Sequence, residues 1–336
     1  MLVRLIVRRL LFLVVVLVGL SLITFSLSRV VPGDPVRLML GPRASKSAVE
    51  KVRAQYHLDD PLPIQYGYYV AGVLRFDFGD SFSSRRPVSQ DLKEYLPATV
   101  ELALFAMLLS ILIGVPLGVL SAVRRDRWPD HLARVVSISG LAFPPFWLAL
   151  MAQLLFYSRL GWLPDGQRLP IEIDPPRPIT SLYTVDALLT ADWPALRLAV
   201  QHLALPVLVL AYGSLAVMTR MVRGGMLEVL NQDYIRTARA KGIGQRSVVL
   251  RHALKNAMLP TVTSLGLQVG LLLSGAFLVE IVYSWPGIGR YAVLGVTRLD
   301  YNAIMATTLL IALIFVLMNL VVDVLYLVID PRISYG

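Results

Sequence analysis

Six apolar stretches, each about 20 residues or longer, decide what this sequence can fold into. They lie near residues 9–30, 98–123, 135–158, 201–221, 258–282 and 303–329. A helix of about 20 residues crosses the hydrocarbon core of a bilayer and satisfies its own backbone hydrogen bonds there. The composition agrees, because 56% of the 336 residues are hydrophobic and only 16% are charged, against about 25% charged in soluble domains. We therefore predict an all-α polytopic membrane protein with six transmembrane helices.

A short basic N-terminus, MLVRLIVRR, precedes the first apolar stretch, as it does in secretory signal sequences. No clear cleavage site with small residues follows this stretch. We therefore predict that residues 1–31 form an uncleaved N-terminal anchor helix.

The distribution of Lys and Arg predicts how the chain is oriented in the membrane. If the N-terminus lies inside, the cytoplasmic pieces carry 16 of these residues, whereas the short external loops 159–200 and 284–302 carry 4 and 2. Short cytoplasmic loops are enriched in Lys and Arg, while long external segments are weakly constrained by this rule. We therefore predict that both termini are cytoplasmic.

Residues 32–97 are predicted to form an ordered external segment. VPGDP forces a turn at its start, and residues 45–58 have helical spacing. Aromatic residues follow, and they are compatible with interface anchors, a small packed core or a docking surface for an external partner. These residues are Tyr66, Tyr68, Tyr69, Phe76, Phe78 and Phe82. The second external segment, 159–200, is rich in proline and predicts an irregular loop with a short helix around 184–192.

The sequence carries no motif for catalysis or for a bound cofactor. It has no cysteine, its four histidines lie far apart without metal-ligand spacing, and neither G-x-S-x-G nor G-x-x-x-x-G-K-[ST] occurs. The net charge of +10 could indicate nucleic acid, but the basic residues cluster beside apolar spans, as in membrane proteins. We therefore predict a chain that is not an enzyme, binds no metal, cofactor or nucleic acid, and contacts membrane lipids.

Two acidic residues near the outer ends of predicted spans favour structural roles. Glu101 is expected in the first turn of the second span, after Pro97, where a carboxylate complements the helix N-terminus. Glu280 is expected at the outer end of the fifth span, close to water.

Polar residues within the fifth and sixth spans are candidates for the wall of a translocation pathway. Asp323 follows Asn319 by four residues on one helical face, and it could pair with Arg220 or Arg223. The fifth span has a polar or small face that suits either helix packing or a water-filled path. The candidate pathway residues are Thr261, Ser264, Gln268, Asn319 and Asp323.

The segment DYIRTARAKG, residues 233–242, lies in the longest cytoplasmic loop, 222–257. A short helix from Asp233 to Lys241 is predicted, ended by Gly242, and a second helical stretch leads into the fifth span. A basic loop that contacts anionic lipid headgroups explains the charge but not the small side chains. A basic helix with small side chains suits a groove on another protein.

At these residues the sequence resembles the EAA loop of bacterial ABC importer permeases, E-A-A-x-x-x-G-x9-I-x-L-P. Arg236, Thr237 and Ala238 stand at the E-A-A positions and Gly242 at the glycine, whereas HALK at 252–255 departs from I-x-L-P at its first and last positions. DYIRTARAKG followed by RHALKNAMLP is similar to the variant of the dipeptide/oligopeptide permease branch. VPGDP, SWPGIGR and the C-terminal DPRI also resemble that branch, so the resemblance covers essentially the whole chain.

The resemblance implies a type I ABC importer fold, with residues 98–329 as the permease core. It implies one of two membrane subunits in a bacterial inner membrane, importing di- or oligopeptides delivered by a periplasmic or lipid-anchored solute-binding protein. The implied partners are a second homologous permease subunit and two ATPase subunits, which would use ATP and magnesium. The implied ATPase-coupling residues are Arg236, Thr237, Ala238, Arg239, Ala240, Lys241, Gly242, Arg251 and His252.

The substrate and two rival functions stay open at the level of sequence. Permeases of this branch also import nickel chelates, glutathione, opines and sugars. A secondary transporter would show inverted repeats and interrupted half-helices, and an intramembrane enzyme would show facing catalytic groups. Neither pattern is visible in the sequence.

Overall fold

The computed structural model describes residues 2–30, 36, 44–55 and 57–329. Within these residues the chain is built of helices, turns and loops, and the strand-like pairing is limited to one bridge between Asp80 and Pro87. The helices are α1 (Leu2–Val30), α2 (Lys46–Gln55), α3 (Leu62–Leu74), α4 (Val88–Val123), α5 (Trp128–Ala142), α6 (Pro145–Ala152, continued by a π-helical turn over Gln153–Arg159), α7 (Tyr183–Leu189), α8 (Trp193–Val229), α9 (Asp233–Ala240), α10 (Gln245–Ser247, a π-helical turn over Val248–Ala253, and Leu254–Ala257), α11 (Leu259–Gly275), α12 (Phe277–Val282), α13 (Ile288–Thr297) and α14 (Tyr301–Ile329).

Five of the predicted spans appear as helical stretches that are long and apolar enough to cross a membrane. They are Ile6–Arg29, Val88–Val123, Trp193–Val229, Leu265–Val282 and Tyr301–Val324. The remaining predicted span, the third at 135–158, is instead a pair of helices, α5 and α6, bent by 104° at a short break. The all-α membrane class with five to six apolar spans is therefore confirmed, and the third span, if the bent pair is counted as one, is broken in its middle.

The break between α5 and α6 follows from two consecutive prolines, Pro144 and Pro145. Phe143 has φ −90° and ψ 129°, because a residue that precedes proline is forced out of the helical region. Pro144 is extended as well, with ψ 136°. Pro145 then begins α6 at a position where its missing N–H costs no hydrogen bond.

The second span begins ten residues before its predicted start at 98, because α4 starts at Val88 and runs through Pro97. Glu101 is therefore not in a first helical turn, and the explanation through the helix N-terminus was wrong. Glu101 is buried and pairs with Arg168 at 2.6 Å. It also accepts hydrogen bonds from the backbone N–H of Thr184 at 2.8 Å and its Oγ1 at 2.7 Å. Glu101 therefore has a structural role, which is to attach the loop 159–192 to α4.

The fourth predicted span, 201–221, is the middle of the 37-residue helix α8. Glu280 is fully buried rather than near water, and it accepts a hydrogen bond from Thr99 Oγ1 at 2.7 Å. The predicted short helix around 184–192 corresponds to α7, and Asp192 caps the following helix by accepting from the N–H of Ala195 at 3.1 Å.

The chain divides into two compact units. Unit 1 comprises Met1–Ala98 and Pro286–Val316. Its core contains an aromatic cluster in which Phe25, Tyr66 and Tyr69 pack with Tyr301. Some of the external aromatic residues therefore form a packed core, one of the alternatives left open by the sequence, whereas Phe76 is exposed.

Unit 2 comprises Thr99–Trp285 and Leu317–Gly336. Glycines let its long helices approach closely. A Cβ atom at Gly140 of α5 would lie 2.7 Å from Cβ of Ala216 in α8, and one at Gly118 of α4 would lie 2.8 Å from Cβ of Val222. Small residues at such crossings are typical of helix packing in membranes. One end of α8 carries the candidate site.

Candidate functional site

Helix α9 is a two-sided helix with a small apolar face and a basic outer face. Ile235 and Ala238 are buried, three residues apart on one face. Arg236, Arg239 and Lys241 are exposed, and the side chain of Arg236 keeps 72% of its accessible surface despite a 3.5 Å pair with Asp233. The basic side chains of α9 are therefore exposed on one face, while the opposite face is buried.

The end of α9 is set by Gly242, as predicted. Gly242 has φ +76°, a conformation in which glycine is strongly favoured. Its N–H donates to the carbonyl of Arg239 at 2.9 Å, and the N–H of Ile243 donates to the carbonyl of Ala238 at 3.2 Å. These two bonds form a Schellman motif, which satisfies carbonyl groups left free at the helix end.

A hydrophobic cluster anchors α9 to the ends of the long helices. Ile235 and Ala238 belong to the cluster that contains Met218, Val222 and Met226 of α8. From the other helices the cluster takes Ala122 of α4 and Val248, Val249, Ala253 and Ala257 of α10. The position of α9 is therefore coupled to the helices that lead into the membrane.

A polar contact joins the start of α9 to α10. Asn256 Nδ2 donates to Tyr234 Oη at 2.7 Å. Gly225 of α8 lies so close to α10 that a Cβ there would meet the carbonyl oxygen of Ala257 at 2.6 Å. Helices α8, α9 and α10 thus pack together on the side of α9 opposite its basic face.

Asp130 forms an ion-pair network beside these helices. The carboxylate is fully buried in the first turn of α5. It accepts from Arg223 Nε at 2.7 Å and Nη2 at 3.0 Å, and from Arg134 Nη2 at 2.7 Å. Ser121 Oγ and the N–H of Asp126 donate to it at 2.7 and 3.0 Å. A buried carboxylate with this many donors connects the α4–α5 turn to α8.

The structure separates the predicted coupling residues into two groups. One group is exposed on or beside α9, together with Arg251 of α10, and consists of Arg236, Thr237, Arg239, Ala240, Lys241, Gly242 and Arg251. Ala238 is buried in the hydrophobic cluster, so its small side chain serves the packing of α9 rather than its outer surface. His252 is half-buried on the π-helical turn of α10.

The predicted pathway residues do not form a uniformly exposed face. Thr261 and Asp323 are buried, and Gln268 and Asn319 are half-buried. The side chain of Ser264 lies outside the described residues. A Cβ at Gly266 would lie 2.2 Å from Cγ2 of Val322, so this part of α11 packs directly on α14.

Sequence reasoning missed Asp130, Tyr234 and Asn256. Asp323 was predicted to pair with Arg220 or Arg223; the structure shows Arg223 bound to Asp130, which lies 93 residues away in sequence. Ile235 could have been found, because Ile235 and Ala238 are spaced by three residues and lie on one face of a mainly polar helix.

Comparison with protein families identifies the chain over almost its full length. Residues 114–335 match the family described as the binding-protein-dependent transport system inner membrane component. Residues 1–103 match the N-terminal family of the same transport-system membrane components. The two matches together leave only 104–113 and the last residue uncovered.

Curated relatives align from end to end. The chain is 48% identical to the probable D,D-dipeptide transport system permease protein DdpB of Escherichia coli (strain K12), over 96% of this chain and 95% of the relative. It is 44% identical to the dipeptide transport system permease protein DppB of Alkalihalophilus pseudofirmus, over 98% of each. It is 41% identical to the glutathione transport system permease protein GsiC of Salmonella typhimurium, over 98% of each.

A solved structure shares the fold. A chain of the MetNI methionine ABC transporter, in inward-facing conformations, matches with a TM-score of 0.50 and 17% identity, over 69% of this chain and 93% of the other. This likeness concerns the fold, which is that of a type I importer permease, while the family rests on the sequence matches. The chain therefore belongs to the family of inner membrane components of binding-protein-dependent transport systems, as a multi-pass permease of an ABC importer.

Proposed function

We propose that this chain is one of two membrane subunits of an ATP-driven importer of di- and oligopeptides. In this proposal a periplasmic or lipid-anchored solute-binding protein delivers the peptide, and a second homologous permease completes the pathway. Two ABC ATPase subunits bind ATP and magnesium and drive transport. Residues 98–329 form the permease core, residues 222–257 the coupling loop, and residues 32–97 an external segment.

The basic face of α9 is the proposed docking site for an ATPase subunit. The proposal rests on one observation: the basic side chains of α9 are exposed, whereas its apolar face is buried. Arg236, Arg239 and Lys241 are exposed, while Ile235 and Ala238 are packed against α8 and α10. Because α9 is packed against these helices, a movement of the docked partner is transmitted through α9 to the long helices. The cleft that receives it is expected to be acidic, because complementary charge guides and orients association.

The driving energy must reach this chain from a partner. The sequence contains no glycine-rich phosphate loop, so we assign ATP hydrolysis to the ATPase subunits. In the proposed cycle these subunits bias the permease pair between inward-open and outward-open arrangements. The contacts of α9 with α8 and α10 transmit this conformational change to the membrane helices.

The orientation proposed for the chain places α9 and both termini in the cytoplasm. Because the chain lacks cysteine, a single cysteine at the exposed Lys241 can be labelled selectively with a membrane-impermeant maleimide. Labelling only in inverted vesicles supports the orientation, and labelling in right-side-out vesicles contradicts it. Thr261, Ser264, Gln268, Asn319 and Asp323 are proposed as pathway residues, to be tested by the same accessibility method.

Peptides are the proposed substrates because two of the relatives described above are dipeptide permeases. The 41% identity to a glutathione permease supports a second candidate, import of glutathione by the same architecture. Uptake of labelled dipeptide and labelled glutathione into proteoliposomes, with the cognate binding protein and ATP, separates the two. Uptake without ATP or ATPase subunits would favour a secondary transporter.

Co-purification with the ABC ATPase subunits tests the docking site. Gly242→Glu introduces bulk and an acid into open space beside the basic face, since no atom lies within 4 Å of a Cβ at this position. Gly242→Asn is the matched control, because asparagine tolerates a positive φ better than other side chains.

We expect the wild type and Gly242→Asn to retain the ATPase subunits in mild detergent, and Gly242→Glu to lose them. Equal retention by both variants would contradict docking at this helix end. Equal loss from both variants would show that the position is needed for folding of the loop, and the exposed Arg239→Glu variant then decides the assignment.

A further inference from the structure

A cavity of about 940 Å³ opens within unit 1. Its apolar walls come from α1, α3, the first turns of α4, and α14. Val14 and Val18 represent α1, Val73 represents α3, and Leu309 and Leu313 represent α14. We call this cavity the apolar groove.

Two walls of the apolar groove lie in membrane-spanning helices. Val14 and Val18 fall within the apolar stretch Ile6–Arg29, and Leu313 falls within Tyr301–Val324. Val14 and Val18 are also among many exposed apolar residues along α1. The groove therefore reaches a depth at which hydrocarbon, rather than water, surrounds the protein.

Helix α3 has the character of a helix that lies at the membrane interface. Its sequence, LPIQYGYYVAGVL, contains no charged residue. At its end Leu74 and Phe76 are 77% and 75% exposed, and Tyr68 is 53% exposed. Tyrosine concentrates where hydrocarbon meets headgroups, so the exposed Tyr68 places α3 at headgroup level.

Two cations line the same groove. Arg75 and Lys93 are exposed, and neither forms an ion pair with any residue that the structure describes. By contrast, Arg86 pairs with Asp91 and Glu94, each at 2.7 Å. Lys93 precedes Ala98 by five residues, about 7.5 Å along the helix axis, which places it just outside the apolar part of α4.

We propose that the apolar groove binds one anionic phospholipid, with an acyl chain along α1, α3 and α14 and the headgroup phosphate held by Arg75 and Lys93. A water-soluble partner could not reach walls that lie at hydrocarbon depth, whereas an acyl chain is already present there. Arg75 and Lys93, which form no ion pair with any residue in the described ranges, supply the charge that a phosphodiester requires. The lipid would bridge α3 to α1 and α14, and so stabilise the arrangement of unit 1.

Native mass spectrometry of the full-length chain in detergent tests the proposal. The chain is titrated with phosphatidylglycerol and with phosphatidylcholine of the same acyl composition. The variants are Arg75→Ala with Lys93→Ala, which removes the cations, and Val73→Trp, which fills the groove without changing charge. Arg298→Ala is the matched control, because Arg298 is an exposed cation of unit 1 that does not line the groove.

We expect phosphatidylglycerol to bind more tightly than phosphatidylcholine by roughly 25-fold, since each of the two basic residues near the headgroup contributes about fivefold. The double alanine variant should remove this preference, Val73→Trp should reduce binding of both lipids, and Arg298→Ala should change neither. The monodisperse elution of each variant on size-exclusion chromatography confirms that it is folded.

Several outcomes would overturn the proposal. Equal binding of the two lipids by the wild type would exclude a headgroup site. Undiminished binding by Val73→Trp would place any lipid elsewhere. A dimer of the wild type that Val73→Trp abolishes, with lipid binding unchanged, would assign the groove to a second copy of the chain.

Discussion

Removing the carboxylate of Asp130 is expected to destabilise unit 2 by about 3 kcal/mol. Asp130 is fully buried and receives both Nε and Nη2 of Arg223. Breaking a buried ion pair by removing one partner costs about 3–5 kcal/mol, because the other charge loses its compensation. The side chain of Arg223 is 23% exposed and that of Arg134 43%, so water relieves part of the cost and the lower end applies.

The predicted effect of Asp130→Ala is a fall in the unfolding temperature of roughly 6–12 °C, at about 2–4 °C per kcal/mol for a unit of this size. Thermal unfolding of the purified chain, followed by tryptophan fluorescence, measures it. Asp126→Ala is the control, because Asp126 also pairs with Arg134, at 2.9 Å, but is 65% exposed. Exposed pairs contribute little, so this variant should stay within about 2 °C of the wild type.

The double variant Asp130→Ala with Arg223→Ala tests the reasoning further. If the cost comes from an uncompensated Arg223, the double variant should be less destabilised than the sum of the two single variants. Strict additivity, or equal shifts for Asp130→Ala and Asp126→Ala, would refute the network as a source of stability.

Three further predictions address α9 and the external loop. Ile235→Ala should lower the local stability of the loop by about 2–5 kcal/mol, because it leaves a cavity. Trypsin should then cleave the loop faster and ATP-driven uptake should fall, although the exposed charges of α9 are intact. Unchanged cleavage would contradict the anchoring role of Ile235. Glu101→Gln should loosen the loop around Arg168, seen as faster amide exchange over 159–192, while unaltered exchange would show that the pair contributes nothing. Burial raises the pKa of Asp186, but hydrogen bonds from Thr180, Ile179 and Ser181 outweigh it and leave this pKa below its usual value. The resulting stability is present above about pH 4 and lost as the pH falls further. The protection of amides in this loop, after correction for the intrinsic pH dependence of exchange, should therefore fall in acid for the wild type and not for Asp186→Asn.

The apolar spans were predictable because their length and composition reflect the bilayer rather than tertiary contacts. The end of α9 at Gly242 was predictable for a similar reason, since a positive φ is a local requirement that glycine meets. The 104° bend between α5 and α6 had a local signal in FPP at 143–145, which the hydropathy of 135–158 outweighed.

The ion pairs could not be derived from the sequence. Glu101 meets Arg168 across 67 positions, and Asp130 meets Arg223 across 93, so only the packing of the helices brings them together. Proline usually marks a helix start, which led to a predicted beginning at 98, but α4 continues back through Pro97 to Val88. The burial of Ala238 likewise depends on α8 and α10, which lie on either side of the loop.

Cysteine cross-linking between α9 and an ATPase subunit tests the central claim most directly. The chain has no native cysteine, so Arg239→Cys on the exposed face and Ala238→Cys on the buried face form a matched neighbouring pair. Docking predicts that a short bifunctional maleimide links Arg239→Cys to an ATPase subunit in membranes that retain ATP-driven uptake, and that Ala238→Cys gives no product. Active membranes in which Arg239→Cys also gives no product would contradict coupling through this helix.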